Sequence, residues 1–293
     1  MKKIGLVVNR QKQQAVDEVK RVASLAAGMG FELYADAATA KLSPAINICD
    51  IKVFAHLGVE GVVVLGGDGT MLDASHQLAG QGLPMMGLNI GSLGYLTSVE
   101  SRHFSEALQQ LREDRFRVGR RTALAIRIVR KDGEVSTLAD ALNDAVVNHG
   151  ARTRAVELEL LLDESPVATF LCDGIIVATP TGSTAYSLSA GGPIVMPDAE
   201  VLTLNVICPH TLTFRPLVVR DTTRVAIRVV QCPVPMVVSS DGRDNATLTI
   251  GDCVEVVRSN ADVPVIELNG YSPCDVLRRK LSWGHSVRKV DNA

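Results

Sequence analysis

The 293-residue chain carries little net charge, few aromatic residues and no long apolar run. Its formal net charge is -2 at pH 7, and aromatic side chains make up 4% of the residues. A near-neutral chain without basic runs lacks the electrostatic footprint of proteins that bind nucleic acid or anionic membranes. No segment approaches the ~20 apolar residues of a membrane span, and the first apolar stretch is too short for a signal peptide. We therefore expect a soluble protein.

The cysteines are scattered and form no pattern typical of a metal site or a disulfide framework. The sequence has no C-x-x-C pair and no Cys/His cluster at zinc spacing. In a chain of this size, such cysteines favour reduced, mostly buried thiols and a cytoplasmic location. The sequence also lacks G-x-x-x-x-G-K-[ST], so any phosphate site differs from the Walker type. The six cysteines are Cys49, Cys172, Cys208, Cys232, Cys253 and Cys274.

The first part of the chain alternates short apolar strands with helical patterns. Strands are predicted at Ile4–Val8, Phe31–Ala35, Gly61–Leu65 and Pro84–Asn89. Between and after them, helices are predicted at Gln14–Met29, Ile51–Leu57, Met71–Ala79 and Phe104–Arg112. This alternation is typical of a mostly parallel sheet covered by helices. We therefore predict a Rossmann-like α/β domain over residues 1–118.

The pattern changes after about residue 122, where short strands follow one another with turn residues between them. Dense strands with few helices predict a mainly antiparallel β-sandwich domain, which we place at residues 119–271. A last helical stretch is predicted at Asp275–Leu281, and the segment 272–293 is expected to pack back on the first domain. Its basic run Arg278-Arg279-Lys280 is typical of a last helical turn.

The loop Gly66–Thr70 directly follows the buried run Val62–Leu65 and precedes a predicted helix. Glycines allow the backbone to approach phosphate oxygens closely, and a carboxylate there can accept the proton of an attacking hydroxyl. This arrangement favours phosphoryl transfer with Asp68 as the base, although an ordinary strand–turn–helix connection has the same residues. Asn89 follows the neighbouring predicted strand, so we expect it at the same edge of the sheet as Asp68.

Three further segments contain polar side chains that are suited to binding a ligand. Asn89–Leu96 repeats the pattern of a strand end followed by glycines. Asn143-Asp144 offers an amide beside a carboxylate, which suits vicinal ribose hydroxyls, although the pair taken alone favours an Asx turn before a strand. Thr179–Ser189 is rich in hydroxyls and contains Tyr186, whose ring can stack on a base.

A fourth segment, Ser239–Arg243, has a simpler interpretation. Its Asp241-Gly242 pair lies between two predicted strands, Pro235–Ser239 and Ala246–Ile250. Asp-Gly in such a place indicates a β-hairpin turn. From these residues alone we do not assign a functional site here.

Together these segments resemble the NAD kinase family, and the resemblance covers nearly the whole chain. The run Asp173–Pro193 is the most specific part, whereas loops similar to Gly66–Thr70 also occur in diacylglycerol-type lipid kinases and phosphofructokinases. The resemblance implies transfer of the γ-phosphoryl group of ATP to the 2′-hydroxyl of the adenosine ribose of NAD, giving NADP. It also implies a divalent metal ion (Mg²⁺ or Mn²⁺), a two-domain fold with the site in the cleft between domains, and a homo-oligomer, commonly a tetramer or dimer.

The resemblance also implies roles for individual residues. Asp68 corresponds to the catalytic proton acceptor. The implied NAD-binding residues are Asp68, Gly69, Asn143, Asp144, Arg154, Asp173, Thr184, Ala185, Tyr186, Ser187, Leu188, Ser189 and Arg243. The implied ATP and phosphate contacts are Gly66, Gly67, Gly69 and Thr70. The sequence shows no metal-ligand constellation, so the ion's ligands stay unassigned.

Two residues depart from the family pattern, and two other functions stay open. Asp144 stands where the family usually has a Glu, and Leu171 stands where some members have an Arg that bears on NADH as acceptor. A lipid kinase with the same glycine loop would need a basic or amphipathic membrane-facing surface, for which this chain has no segment. A non-catalytic dinucleotide sensor would keep Asn143, Asp173 and Tyr186 without needing Asp68.

Overall fold

The computed structural model describes residues 1–10, 13–91, 94–97, 99–150, 154–211 and 213–283. Ser92 and Leu93 of the predicted Asn89–Leu96 motif, and residues 284–293 of the predicted C-terminal segment, lie outside the described residues. The described chain divides into two compact units. Unit 1 comprises Met1–Gly119 and Pro264–Ala293, and unit 2 comprises Arg120–Val263.

The bounds of the secondary-structure elements are as follows. The strands, numbered in chain order, are β1 (Lys3–Val8), β2 (Glu32–Ala35), β3 (Ile46–Ile48), β4 (Gly61–Gly66), β5 (Met85–Asn89), β6 (Val99–Glu100), β7 (Phe116–Arg121), β8 (Leu124–Val129), β9 (Val135–Thr137), β10 (Asp144–Asn148), β11 (Val156–Leu162), β12 (Ser165–Cys172), β13 (Gly174–Ala178), β14 (Val201–Ile207), β15 (Leu217–Arg220), β16 (Val225–Gln231), β17 (Met236–Ser240), β18 (Asp244–Leu248), β19 (Cys253–Arg258) and β20 (Val263–Leu268). The α-helices are α1 (Gln13–Gly28), α2 (Ala37–Ala40), α3 (Asp68–Gln77), α4 (Phe104–Arg112), α5 (Tyr186–Ser189) and α6 (Pro273–Lys280).

Unit 1 is built on one sheet with the strand order β3-β2-β1-β4-β5-β20-β7, and β6 pairs with β5. The pairs that join β1, β2, β3, β4 and β5 are parallel, as are the pairs of β5 with β6 and β20. All six residues of β4 are buried, as expected for a central strand of a parallel sheet. The predicted α/β domain with a Rossmann-like parallel sheet is confirmed.

The core of unit 1 joins the sheet to α1 and α4. Val19, Val22 and Ala26 lie at helical spacing on α1 and are fully buried, so the amphipathic pattern identifies the packed face of this helix. Phe104 and Leu108 of α4 contribute to the same core. Burial of such side chains stabilises the unit by about 1.5–3 kcal/mol for each large apolar residue. This packing holds the carboxyl ends of the strands in place.

Unit 2 consists of two six-stranded sheets whose pairs are antiparallel. Their orders are β15-β14-β13-β10-β17-β18 and β12-β11-β16-β19-β8-β9. One core contains residues of both sheets, for example Ile126 and Leu158 from one and Val147 and Ile175 from the other. The two sheets therefore pack face to face. This confirms the predicted antiparallel β-sandwich.

Several elements differ from the sequence-based expectations. The predicted helix Ile51–Leu57 is instead two short 3₁₀ turns, Ile51–Val53 and Ala55–Leu57, the second ending at Gly58 with φ of 71°. The helix predicted to start at Met71 begins at Asp68, because Gly67 is its N-cap residue. Asp68 is thus the first helical residue rather than a turn residue.

The second domain boundary also differs from the expected one. β20 was not predicted, and its residues were assigned to the β-rich domain ending at 271. In the structure β20 lies in the sheet of unit 1, where Val265 pairs with Met85 of β5. Pro264 interrupts this run of apolar residues, and proline weakens the strand signal of a sequence. The helix α6 follows directly and belongs to unit 1.

The cysteines are free, as expected, but most of them are not buried. Cys172 alone is buried, whereas Cys208 and Cys274 are exposed and the other three are partly exposed. The expectation of mostly buried thiols is therefore wrong. Within the part of the chain that the structure describes, no helix has the length and apolar character needed to cross a bilayer.

Candidate functional site

The glycine loop of unit 1 lies at the carboxyl edge of the parallel sheet. β4 ends at Gly66, Gly67 caps α3, and Asp68 opens the helix. Gly66 pairs in register with Asn89, the last residue of β5. The prediction that Asp68 and Asn89 lie at the same edge is confirmed, because the carboxyl ends of adjacent parallel strands meet there. The first N–H groups of α3 also point to this edge.

The Asp68 carboxylate accepts hydrogen bonds from four donors. Its Oδ1 accepts from the backbone N–H groups of Leu96 at 2.8 Å and Thr97 at 3.3 Å. Its Oδ2 accepts from the N–H of Tyr95 at 2.8 Å and from the Lys280 ammonium at 3.3 Å. The three consecutive amides fix the orientation of the carboxylate, since backbone donors do not rotate away as a side chain can.

The residue before this row of amides, Gly94, has to be a glycine for steric reasons. A Cβ atom at this position would lie 2.1 Å from Asp68 Oδ1, much closer than any real contact. The glycine in the Asn89–Leu96 motif is therefore required for the close approach of the carboxylate. Sequence reasoning found the motif but did not identify the Asp68 carboxylate as its partner. It also missed Lys280, which was interpreted only as part of a helix end.

A cavity of about 400 Å³ lies beside the glycine loop in unit 1. Thr70, from the first turn of α3, lines it together with Asn9, Arg10 and Asp73. Arg10 Nη1 also lies 3.5 Å from Asp36 Oδ1. A cavity that contains an arginine and borders a helix N-terminus is suited to phosphate oxygens.

The Asn143-Asp144 pair of unit 2 is held by a carboxylate from a distant turn. Asp241 accepts hydrogen bonds from the N–H groups of Leu142 at 2.9 Å, Asn143 at 2.7 Å and Asp144 at 3.1 Å. Asp241 has a φ of 50° in the turn between β17 and β18, so the predicted hairpin turn is confirmed. Its role in positioning the pair was missed, because the Asp-Gly signal is fully explained by the turn.

Asp144 is buried at the start of β10, with 5% of its surface exposed. Burial, and next the negative charge of Asp241, raise the pKa of Asp144 to about 7. Asn143 beside it is only partly buried. The pair therefore combines an amide with a carboxyl group that takes up a proton near neutral pH, and the protonated carboxyl can donate as well as accept a hydrogen bond.

The segment after β13 is tied to this pair within unit 2. The Thr179 hydroxyl donates to the carbonyl of Leu142 at 2.6 Å, and the Thr179 N–H donates to the carbonyl of Asn143 at 2.9 Å. A Cβ atom at Gly182 would lie 2.0 Å from the Asn143 carbonyl oxygen, so only glycine fits here. The structure thus brings the hydroxyl-rich segment and the Asn143-Asp144 pair together.

Residues 184–189 differ in what they expose. The Tyr186 side chain is 44% exposed, Ser189 is also exposed, and Thr184, Ala185 and Leu188 are partly buried. Ser187 is fully buried, and its hydroxyl accepts from Asn205 Nδ2 at 2.5 Å. The Ser187 hydroxyl therefore fixes the short helix α5 from inside, while the Tyr186 ring faces outward.

Asp173 lies at the opposite end of β13 from this cluster. In the register of β10 and β13, Asp144 pairs with Ala178 and Asn148 pairs with Gly174. At a strand rise of about 3.3 Å per residue, Asp173 is roughly 16 Å from the level of Asp144. Asp173 Oδ1 lies 3.7 Å from His149 Nε2. The hydrogen bond between Asp173 and Cys208, and next the negative charge of Asp173, raise the pKa of the Cys208 thiol. The structure does not place Asp173 beside the pair.

The two arginines of the implied site are exposed and lie in loops. Arg243 is in the β17–β18 turn, two residues after Asp241. Arg154 directly follows residues that the structure does not describe. In the described ranges no group of three or more His, Cys, Asp or Glu side chains is arranged to hold a metal ion.

Two family models match this chain, and together they cover most of it. The model described as the ATP-NAD kinase N-terminal domain matches residues 4–116. The model described as the ATP-NAD kinase C-terminal domain matches residues 142–268. The NAD kinase of Symbiobacterium thermophilum is 39% identical, over 96% of this chain and 99% of its own. The NAD kinase of Geobacter metallireducens is 41% identical, over 78% and 85%.

Solved structures share the fold. A crystal structure of yeast NADH kinase complexed with NADH has a TM-score of 0.87 at 22% identity, over 99% of this chain and 90% of that one. An NAD kinase from Archaeoglobus fulgidus in complex with ATP has a TM-score of 0.74 at 23% identity, over 94% and 99%. At such identities the similarity establishes the architecture and leaves the assignment of residue roles to the geometry described above.

Proposed function

This chain belongs to the NAD kinase family, and we propose that Asp68 is the general base of its reaction. The protein is an ATP-dependent kinase that phosphorylates NAD to NADP. The γ-phosphoryl group of ATP goes to the 2′-hydroxyl of the adenosine ribose. The observation that carries the proposal is the Asp68 carboxylate, held by three consecutive amides at the N-terminus of α3.

The proposed step is an in-line displacement at phosphorus. The 2′-hydroxyl gives its proton to Asp68 while its oxygen forms the new bond to the γ-phosphorus. The bond between that phosphorus and the bridging oxygen breaks, and its electron pair leaves on ADP. Phosphoryl transfer depends mainly on positioning and on stabilising negative charge. The loop Gly66–Thr70 and the adjacent cavity support a phosphate-binding role for Gly66, Gly67, Gly69 and Thr70.

We assign the binding of NAD to residues of unit 2 together with Asp68 and Gly69. Asn143 and Asp144 are suited to the ribose hydroxyls, because they present an amide and a protonatable carboxyl side by side. The exposed Tyr186 ring is suited to stacking on a base. The roughly 16 Å between Asp144 and Asp173 suits an extended dinucleotide better than a mononucleotide. Arg154, Thr184, Ala185, Ser187, Leu188, Ser189 and Arg243 complete the proposed set.

We propose that the divalent ion, Mg²⁺ or Mn²⁺, arrives with the phosphates of ATP. Magnesium sites commonly use one or two carboxylates, several waters and substrate phosphates rather than a protein cage. Such a site needs few protein ligands, because ATP supplies most of the oxygens. The bound ion would neutralise charge on the transferred group.

A homo-oligomer, dimer or tetramer, and a cytoplasmic location are further parts of the proposal. The oligomer follows from the family resemblance, and the free cysteines support the cytoplasmic location. Light scattering coupled to gel filtration measures the subunit number directly. A monomer at micromolar concentration would contradict the oligomer.

A coupled assay tests the proposed function. The protein is incubated with NAD, ATP and magnesium, and NADP formation is followed with an NADP-dependent dehydrogenase. We expect NADP to accumulate in proportion to enzyme and to require ATP. A sensor would bind NAD in calorimetry without forming NADP, and a lipid kinase would phosphorylate diacylglycerol vesicles instead. Replacing NAD with NADH measures the acceptor preference that Leu171 leaves open.

A further inference from the structure

The last turn of α6 carries three basic residues with different partners. Arg278 pairs with Asp275 of its own helix, as expected for a solvated helix end. Arg279 reaches Glu100 at 3.4 Å with a side chain that is 64% exposed. Lys280 instead lies on Asp68 and over the ring of Tyr95, 5.7 Å from the ring centre. A surface helix-end lysine does not need such partners, so Lys280 requires a separate explanation.

The Asp68 carboxylate has no acceptor position left for a substrate hydroxyl. A carboxylate offers about four lone-pair positions to donors. Three of them are taken by the amides of Tyr95, Leu96 and Thr97, which are fixed in the backbone. The fourth, on Oδ2, is taken by the Lys280 ammonium. A general base must contact the hydroxyl that it deprotonates, so one donor has to leave.

Lys280 is the donor that can leave. Its contact of 3.3 Å is as long as the longest of the four, and its side chain is 27% exposed. Its stem of four carbon atoms rotates freely, whereas moving an amide would disrupt the loop. When the ammonium leaves, its position on Oδ2 becomes available to a hydroxyl group.

The released ammonium stays close to the reacting phosphorus. A hydroxyl in contact with Oδ2 lies about 2.6–3.2 Å from it, and the attacked phosphorus is about 3–3.5 Å farther on. A lysine stem spans such a distance by rotating about its own bonds. The transition state spreads negative charge over the equatorial oxygens of the phosphoryl group, and a lysine ammonium is a suitable point charge for them.

We propose that Lys280 is a further catalytic residue, which holds the hydroxyl-binding position of Asp68 in the free enzyme and moves onto the transferred phosphoryl group when both substrates bind. This inference rests on the proposed role of Asp68 as the base. The proton still passes from the 2′-hydroxyl to Asp68, and Lys280 keeps its own protons. The positive charge of Lys280 stabilises the negative charge that develops on the phosphoryl oxygens.

The test compares Lys280→Met with Lys280→Arg and with the matched control Arg279→Met. Methionine keeps the unbranched stem and the helix propensity of lysine, and it removes the ammonium group with its charge and its donors. We expect Lys280→Met to lower kcat about 30- to 300-fold without raising the KM for NAD, since a competitor of the hydroxyl is removed. Lys280→Arg should restore at least a third of the decrease in log kcat that Lys280→Met causes. Arg279→Met should stay within twofold.

The outcomes separate this inference from the proposed function. Thermal melting first checks that each variant is folded, and we expect changes of at most a few degrees for a partly exposed pair. If Lys280→Met keeps kcat within threefold of the parent while Asp68→Asn is strongly impaired, Lys280 is only a salt-bridge partner and the inference fails alone. If Asp68→Asn is fully active, the proposed base itself is wrong. A tenfold rise in the KM for NAD in Lys280→Met would contradict the exchange on Oδ2.

Discussion

Two aspartates, one in each unit, hold three consecutive backbone amides of a distant segment. Asp68 of unit 1 holds the amides of Tyr95, Leu96 and Thr97, and Asp241 of unit 2 holds those of residues 142–144. In both places one carboxylate accepts three consecutive N–H groups, but the groups that surround the two carboxylates differ. A lysine ammonium contacts Asp68, whereas a second, buried carboxyl lies near Asp241.

The difference indicates why only one of the two is suited to act as a base. The Asp68 side chain is 30% exposed at the sheet edge, and one of its four donors is an exchangeable side chain. Asp241 uses its oxygens to order the strand that carries Asn143 and Asp144. Unit 1 thus has the carboxylate that we propose as the base, and unit 2 has one that positions the Asn143-Asp144 pair.

The comparison is tested most strongly by replacing each aspartate with its isosteric amide. Asp68→Asn keeps one acceptor oxygen for the amides of Leu96 and Thr97, loses the oxygen that faces Tyr95 N–H, and cannot take up the proton. We therefore expect kcat to fall about 10²–10⁴-fold, or roughly 3–5 kcal/mol. Asp241→Asn should lower kcat less than about tenfold. Initial rates of NADP formation measure both. Equal losses in the two variants would reduce Asp68 to a structural anchor.

Removing the Asp241 carboxylate altogether tests its structural role. Asp241→Ala leaves three amides without their acceptor, and we expect the free energy of unfolding to fall by about 2–4 kcal/mol in urea titrations. The turn residue Asp163, which accepts the N–H of Arg224 at 2.9 Å, provides a control with one such bond. Asp163→Ala should cost about 1 kcal/mol or less. Similar losses for both variants would show that the triple contact has no special value.

The buried neighbour of Asp241 predicts a pH dependence of stability. The pKa of Asp144 is about 7 in the folded protein, above the ordinary value of 3.8. The folded state therefore binds more protons than the unfolded state between these values, and this group lowers stability as pH rises from about 4 to 7. Asp144→Asn removes that loss. The free energy of unfolding of this variant, relative to that of the parent, should therefore be about 1–3 kcal/mol higher at pH 8 than at pH 4.

Urea titrations of the parent and of Asp144→Asn at pH 4, 6 and 8 measure this effect. The difference in the free energy of unfolding should grow through the interval and then level off above pH 7. A constant difference at all three values would mean that Asp144 does not titrate between them. Asp163→Ala, at an exposed turn, should give profiles parallel to the parent.

The smallest expected effect concerns the division between binding and catalysis. Tyr186→Ala should raise the KM for NAD about tenfold, since stacking of a base on an aromatic ring is worth about 1–3 kcal/mol. The KM for ATP should change less than twofold. Tyr186→Phe keeps the ring and should behave like the parent. Equal rises in both constants in Tyr186→Ala would argue against stacking on the dinucleotide.

The parts of the fold that sequence predicted well are those with a local signal. α1 has its apolar residues at helical spacing, and the run before Gly66 is a buried strand. The Asp241-Gly242 turn is equally local. In contrast, the 3₁₀ turns at Ile51–Leu57 and the strand β20 depend on what packs against them, and both differ from expectation.

The functional motifs follow the same division. The glycine loop, the Asn143-Asp144 pair and the Thr179–Ser189 segment were all found from residue types and spacing. Which groups they contact was not, because the Asp68–Lys280 contact spans 212 residues and the Asp241–Asn143 contact spans 98. A carboxylate in a turn has the same sequence signal whether it caps its own turn or a distant strand.

The sequence by itself determined the family and the two kinds of domain, and it predicted the glycine loop that carries the proposed proton acceptor. These depend on glycines, apolar periodicity and short motifs, which are properties of neighbouring residues. Only the tertiary structure decided that Asp68 has four donors and that one of them is Lys280, and only it placed Asp241 under Asn143 and Asp144. Hydrogen bonds form between groups that packing brings within about 3 Å, and packing joins segments far apart in the chain.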